Sequence, residues 1–485
     1  MCKMNSARIL SALIAMLMLA SCQAEPDKAE ATSSDTTVTE APETTSYLET
    51  IQAYDFGGDT IRLMVNSAGD RPNLHAGEEN GEIINDAMFN RDRTVSELFN
   101  CEIGYTAYDD RSKLYKDLTR LISAGEDSCD IIITSLMEGV GNLSVSGMTA
   151  DLNSLDALNL DAEWWCQSMN ETMKTGNKIY AASGPMALCY CYSPYAFFTN
   201  LNMAEDFGLE SVYTLVESGN WTIDTMNSMM KDIYEDVNSN GKVDSGDRFP
   251  LTVTLESGKA FYIGCGMRMA RKTSDGAELY MDSPQSVDVL DLLNSIMKPD
   301  EILCTDNLAT SWMPGVSDYK TAMFTNSQAL FCAAPIQWSV LYFRDMADDY
   351  AILPYPKYDA SQDEYYSHIN SYFPVGIAIP VTCQRADETA AVMEALAYIS
   401  QTEMLPKIND VVLKEKVARD ENSKQMIDLL YKNMIVDLNS VFDFAGSATM
   451  LRKYAVGESE NFSSSYAAIK TRVETELNNM LEKLS

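Results

Sequence analysis

The stretch Thr321–Leu341, TAMFTNSQALFCAAPIQWSVL, decides how this chain is read. Met323 and Phe324 close a helix, Asn326 and Ser327 turn the chain, Ala329–Ala333 is a short apolar strand, and a proline turn then delivers Trp338. A strand so short and uniformly apolar is covered on both faces, as in sheets flanked by helices. The loop at the carboxyl end of such a strand is where open α/β sheets receive ligands. Trp338 is therefore expected at a cleft.

Upstream the same alternation runs from residue 60. Ile61–Val65 reads as a strand, Glu82–Phe99 as a helix with Ile84, Met88, Val95 and Phe99 on one face, and Glu102–Tyr105 as a second strand. Ser112–Ser123 is a helix followed by Gly125, and Asp130–Thr134 a third strand. This order predicts a parallel sheet with helices on its faces. The loops after the first and third strands then lie at its carboxyl edge, with Asp70, Arg71, Ser135 and Glu138 as polar candidates. For each, a solvated loop residue is the plainer reading.

At 485 residues the chain exceeds one ordinary domain. Its 71 Asp and Glu against 36 Lys and Arg give a formal charge of −35, which disfavours nucleic acid and anionic lipid surfaces and favours neutral or cationic partners. Lys3 and Arg8 precede an apolar run, Ile9–Ala20, of signal-peptide length. That run ends Leu19, Ala20, Ser21, Cys22, which resembles a bacterial lipobox with Cys22 as the acylated residue; the plainer reading is an ordinary cleaved signal. Residues 22–53, rich in Thr, Ser, Glu and Pro, read as a flexible tether.

Three stretches carry a resemblance to the extracellular solute-binding proteins of carbohydrate ABC importers (family 1). They are Thr321–Leu341, Tyr350–Asp359 (YAILPYPKYD), and the helix opening Asn220, Trp221, Thr222, Ile223. The resemblance implies an α/β, two-lobed periplasmic-binding-protein-like (Venus flytrap) fold with discontinuous lobes and a hinge. It places residues 54–150 plus about 376–408 in a first lobe and about 151–375 plus 409–485 in a second. It also implies that Trp164, Trp165 and Trp221 are structural, and that Ile179–Asn200 is a ribbon crossing between lobes and lining the cleft. Tyr190 and Tyr192, two apart, would share one strand face there; core packing is the alternative for both. Trp312, in the loop TSWMPGVSDY, is a second aromatic candidate beside Trp338 for stacking on a sugar.

Residues 236–247, DVNSNGKVDSGD, match a twelve-residue calcium loop. Asp236, Asn238 and Asn240 take positions one, three and five, Gly241 the turn at six, Lys242 offers its carbonyl at seven, and Asp244 and Asp247 take nine and twelve. A polar surface loop is the alternative. The expected role is a structural Ca²⁺.

What these readings imply together is a lipid-anchored, extracytoplasmic monomer that captures a sugar or oligosaccharide between its lobes and delivers it to an ABC permease. Two rivals share the composition: a secreted glycan-active hydrolase, which needs only a carboxylate pair, and a surface glycan-capture or scaffolding lipoprotein. Histidine chemistry is disfavoured, since His75 and His368 are far apart in unremarkable settings and no zinc or nucleophile motif occurs. Apart from Cys2 and Cys22, nine cysteines at irregular spacing read as buried thiols rather than a disulfide framework.

Overall fold

The computed structural model describes residues 47–51, 54–67, 75–273, 276–414 and 421–484. Three parallel strands open the fold: β1 (Thr60–Asn66), β2 (Glu102–Tyr108) and β3 (Ile131–Thr134). Leu63 lies level with Tyr105 on one side and Ile131 on the other. The helix Ile83–Phe99 starts at Glu82, whose carboxylate accepts the Asn85 N–H, and buries Met88, Val95 and Phe99 against the sheet. The helix Arg111–Ser123 starts at Asp110, which caps two N–H groups, and buries Leu114, Leu118 and Ile122.

The chain then makes a small hairpin, β4 (Lys174–Thr175) with β5 (Lys178–Ile179), and enters a second sheet. Its strands are β6 (Tyr195–Asn200), β7 (Phe249–Val253), β10 (Ile302–Cys304), β11 (Ala329–Pro335) and β12 (Tyr350–Leu353), in the order β10-β7-β11-β6-β12. An outlying hairpin, β8 (Ala270–Thr273) with β9 (Gly276–Leu279), follows β7. Every residue of β6, β7, β11 and β12 is buried, as a sheet covered on both faces requires. β11 is the strand expected from the opening stretch; β6 lies antiparallel between it and β12.

The chain passes back through β13 (Ser367–His368), which pairs with the late strand β15 (Met434–Ile435), and β14 (Gly376–Ala378) joins the first sheet antiparallel to β3. Ser367–Pro380 thus holds two short strands with a turn between. Asp130, wholly buried before β3, clamps the returning segment: it accepts from Arg62 of β1 and from Arg385 beyond β14. Burial alone would raise the Asp130 carboxyl, but the Arg62 and Arg385 hydrogen bonds prevail and hold it at about 2.

Two local expectations change. Ile179–Asn200 is not a ribbon: residues Cys189–Tyr192 form a helical turn between β5 and β6. The stretch read as tether ends earlier than residue 53, because Tyr47–Thr50 is a short helix whose Tyr47, Leu48 and Ile51 pack on the first core. Tyr47 Oη donates to Glu394 Oε1 at 2.8 Å, and the indole N–H groups of Trp164 and Trp165 donate to Glu394 Oε1 and Oε2 at 3.0 Å. The Trp pair is structural, but its two side chains converge on one buried carboxylate rather than diverging. All nine described cysteines are buried free thiols.

Candidate functional site

The carboxyl edges of the two sheets meet at the turn between β13 and β14. On the first sheet, β3 runs into the tight turn Leu136–Val140, where Ser135 is buried and donates to the Met137 carbonyl at 2.7 Å. Ser135 is thereby spent on the turn itself. Glu138 adopts φ 55, a left-handed backbone that costs energy for a residue with a Cβ. That backbone directs its exposed carboxylate to Arg111, with Nη2 at 2.8 Å and Nε at 3.0 Å. Met137 N–H donates to the Ser371 carbonyl, which fixes the turn against the residue preceding Tyr372.

Tyr372 stands at the junction. Three cations surround its ring: Arg111 at 5.0 Å from the first sheet's side, Lys259 at 5.6 Å and Arg452 at 5.4 Å from the second's. Beneath them Glu256, at the end of β7, is buried and paired to Lys259, to Arg452 Nη1 at 3.0 Å and to His368 Nε2 at 2.9 Å. Burial would raise the Glu256 carboxyl; the Lys259 charge, the His368 hydrogen bond and the Arg452 charge together hold it well below the usual range. His368 is pushed the other way: complete burial lowers it despite Glu256. A neutral ring with its proton on Nε2 satisfies that bond, while Nδ1 is buried without a partner.

His368 is therefore not in an unremarkable setting, and it is remote from His75, which stacks on Tyr105 at 4.6 Å. Arg111, Lys259, His368, Tyr372 and Arg452 were not expected at the cleft. They come from four separate parts of the sequence, His368 and Tyr372 sharing one, and no local motif signalled their meeting.

The aromatic candidates divide. Trp338 lies on the short helix Gln337–Leu341 directly after β11, partly buried, edge-on to Tyr342 and Phe343. Trp312 packs by Phe249, with centroids 6.4 Å apart. Phe249 opens β7, so this contact is about 13 Å along the strand from the carboxyl edge, and Trp312 is placed away from Tyr372 and Glu256. Tyr190 and Tyr192 are both buried, and residues two apart on a helical turn do not share a face. Asp70 and Arg71 lie outside the described residues.

In the loop Asp236–Asp247, Gly241 takes φ 74, and the N–H groups of Asn240 and Gly241 donate to the Asp236 carboxylate at 3.1 and 2.7 Å. Asp247 is wholly buried, and its Oδ1 has no hydrogen-bond partner. No group of three or more His, Cys, Asp or Glu is gathered as a metal cluster among the described residues. Calcium loops also draw on amide and backbone oxygens, and an orphaned buried carboxylate oxygen suits a cation, so these residues fit the ion.

No protein-family model matches the sequence, and no curated protein does. Solved structures do match. An ABC substrate-binding protein from Listeria monocytogenes in complex with cycloalternan is 14% identical with TM-score 0.53, covering 88% of this chain and 99% of that one. The galacto-N-biose/lacto-N-biose I-binding protein of Bifidobacterium longum is 12% identical with TM-score 0.56, covering 88% and 98%. A family 1 extracellular solute-binding protein from Bifidobacterium longum subsp. infantis is 14% identical with TM-score 0.54, covering 86% and 100%.

The fold is that of the two-lobed solute-binding proteins. Its two sheets share one core cluster, which runs from Ile61 and Ile131 of the first to Phe198 and Cys332 of the second. No helix among the described residues is long and apolar enough to cross a membrane.

Proposed function

We propose that this chain captures a sugar or oligosaccharide between its lobes, outside the cytoplasm, and passes it to an ABC permease, held to the membrane by acyl chains on Cys22. The observation that carries the reading is a fold shared over nearly the whole chain with proteins solved with cycloalternan, lacto-N-biose and maltose. Tyr372, with its ring at the junction of the carboxyl edges, supports it. A pyranose offers an apolar C–H face to an aromatic ring and hydroxyls to a planar ion pair; Tyr372 supplies the first and Arg111 with Glu138 the second. Trp338 and Glu138 remain proposed ligand contacts, and so do Asp70 and Arg71, which lie outside the described residues. Ligand contacting both lobes stabilises the closed arrangement by its differential affinity, and that arrangement is what a permease would read.

The test is thermal melting of the protein with calcium and a panel of neutral oligosaccharides. A glycan at about 100 times its Kd adds about 2.7 kcal/mol to the form it binds. A rise of a few degrees with one glycan supports the reading; no rise with any, together with release of reducing ends, would replace it with a hydrolase.

The same proposal assigns Ca²⁺ to the loop 236–247, held by Asp236, Asn238, Asn240, the Lys242 carbonyl, Asp244 and Asp247. The ion would supply positive charge to three carboxylates on one turn of chain and fasten the loop to the start of β7.

A further inference from the structure

A second cavity, about 460 Å³, opens beside β15, away from the Tyr372 junction. Its far wall begins at Gly266, just past the helix Ser257–Gly264 whose other end carries Glu256, so about 12 Å of helix separates the two places. One wall is the helix Gln167–Met173, contributing Ser168, the exposed Glu171 and Thr172; the other is Arg268 with Arg271 and Lys272 of β8.

Three cations and two carboxylates, Asp437 and Glu171, thus line one cavity in a chain of formal charge −35, a local excess of positive charge. Among the described residues none of the three has a carboxylate within 4.0 Å. Arg268 and Arg271 lie over the rings of Tyr366 and Tyr280, at 4.6 and 5.0 Å, and Lys272 donates to the Thr175 hydroxyl at 3.3 Å. Of the acidic groups lining it or close by, Asp437 and Glu278 are engaged in hydrogen bonds. Asp437 accepts from the backbone N–H groups of Met269, Ala270 and Asn439. Glu278, opposite Arg271 across the hairpin, accepts from Tyr280 Oη, and Glu171 is exposed.

Burial disfavours the charged forms of both Arg268 and Lys272, and Arg271 adds repulsion at Arg268, with Asp437 acting in the opposite sense. Desolvated cations held near one another with no carboxylate in ion-pair contact cost stability that a bound anion would recover. Two planar guanidinium forks and one ammonium match the oxygens of a phosphate. The Ser168 hydroxyl, whose oxygen accepts from Val436 N–H at 2.9 Å, keeps its own proton to donate.

We infer that this cavity binds a phosphate group, through Arg268, Arg271, Lys272 and Ser168, at a site separate from the sugar cleft. Two sources share that chemistry: the free ion and a phosphate ester of a small molecule.

The experiment is calorimetric titration of the whole protein with inorganic phosphate and, separately, with a hexose phosphate, in a buffer free of other oxyanions. One saturable site is expected, weakened about tenfold in Arg271→Gln and again in Lys272→Gln, and unchanged in Lys298→Gln, an exposed lysine paired elsewhere with Glu460. Tighter binding of the ester assigns the source to an esterified ligand; equal binding assigns it to the free ion. Arg271 is exposed, so its replacement leaves the core intact, and circular dichroism verifies this for each variant. Absence of saturable binding by both probes overturns the site, as does undiminished binding in the folded double variant.

Discussion

Glu256 shows how much one buried carboxylate holds. It gathers Lys259 from its own helix, His368 from β13 and Arg452 from a helix near the carboxyl terminus. Removing one partner of a buried ion pair leaves an uncompensated charge and costs about 3–5 kcal/mol. Glu256→Gln should lower the unfolding free energy by that order, read by urea denaturation; a loss within 1 kcal/mol would show that the cluster is not a structural joint.

The same residues set a pH dependence. His368 is lowered in the folded state, so on acidification the unfolded chain takes up a proton first and stability falls below about pH 6.5. Glu256 is lowered too, and its contribution is present above its unfolded value and lost as pH falls further. Melting temperature should therefore drop in two stages, one below about pH 6.5 and a second beginning only near pH 4 and continuing as the acid strengthens, and His368→Gln should remove the upper stage. A wild-type profile flat from pH 7 to 5 would contradict the neutral, buried ring.

At this scale the sequence was least informative. From Glu256, His368 lies 112 residues away and Arg452 196. No local pattern announces such a meeting. Trp312 misled for a related reason: a tryptophan in a Pro- and Gly-flanked loop reads as exposed, yet here the ring folds back on Phe249.

Among elements, those with strong periodicity were legible. The helices at 83–99 and 111–123 and the strands β1, β3 and β11 fall within one or two residues of where hydrophobic spacing and capping residues put them. Ile179–Asn200 failed because a run that is apolar throughout has no period, so a helical turn at Cys189–Tyr192 looks like strand. The helix Tyr47–Thr50 was hidden by its polar surroundings, although Tyr47, Leu48 and Ile51 supply the anchor.

Two predictions belong to elements. Deleting residues up to Thr50 removes one of three donors from buried Glu394, and the melting temperature should fall by several degrees; an unchanged value would mean that the helix is only resting there. Chelation by EDTA should lower the melting temperature by a few degrees, calcium should restore it, and Asp247→Asn should abolish the difference. Equal melting with and without calcium in the wild type would remove the ion from the proposal.

For the molecule as a whole, the two-lobed architecture was readable because alternation of strands and helices survives at identities of 12–14%. The arrangement of the site was not, since the groups that meet at Tyr372 come from distant segments brought together only when the chain crosses between sheets. The most direct test of sugar capture between the lobes is calorimetric titration of the panel of neutral oligosaccharides into wild type and Tyr372→Ala, with folding checked by circular dichroism. Saturable one-site binding of a glycan, weakened tenfold or more in the variant, is the predicted result. Binding by no glycan, or equal binding by both proteins, would contradict it.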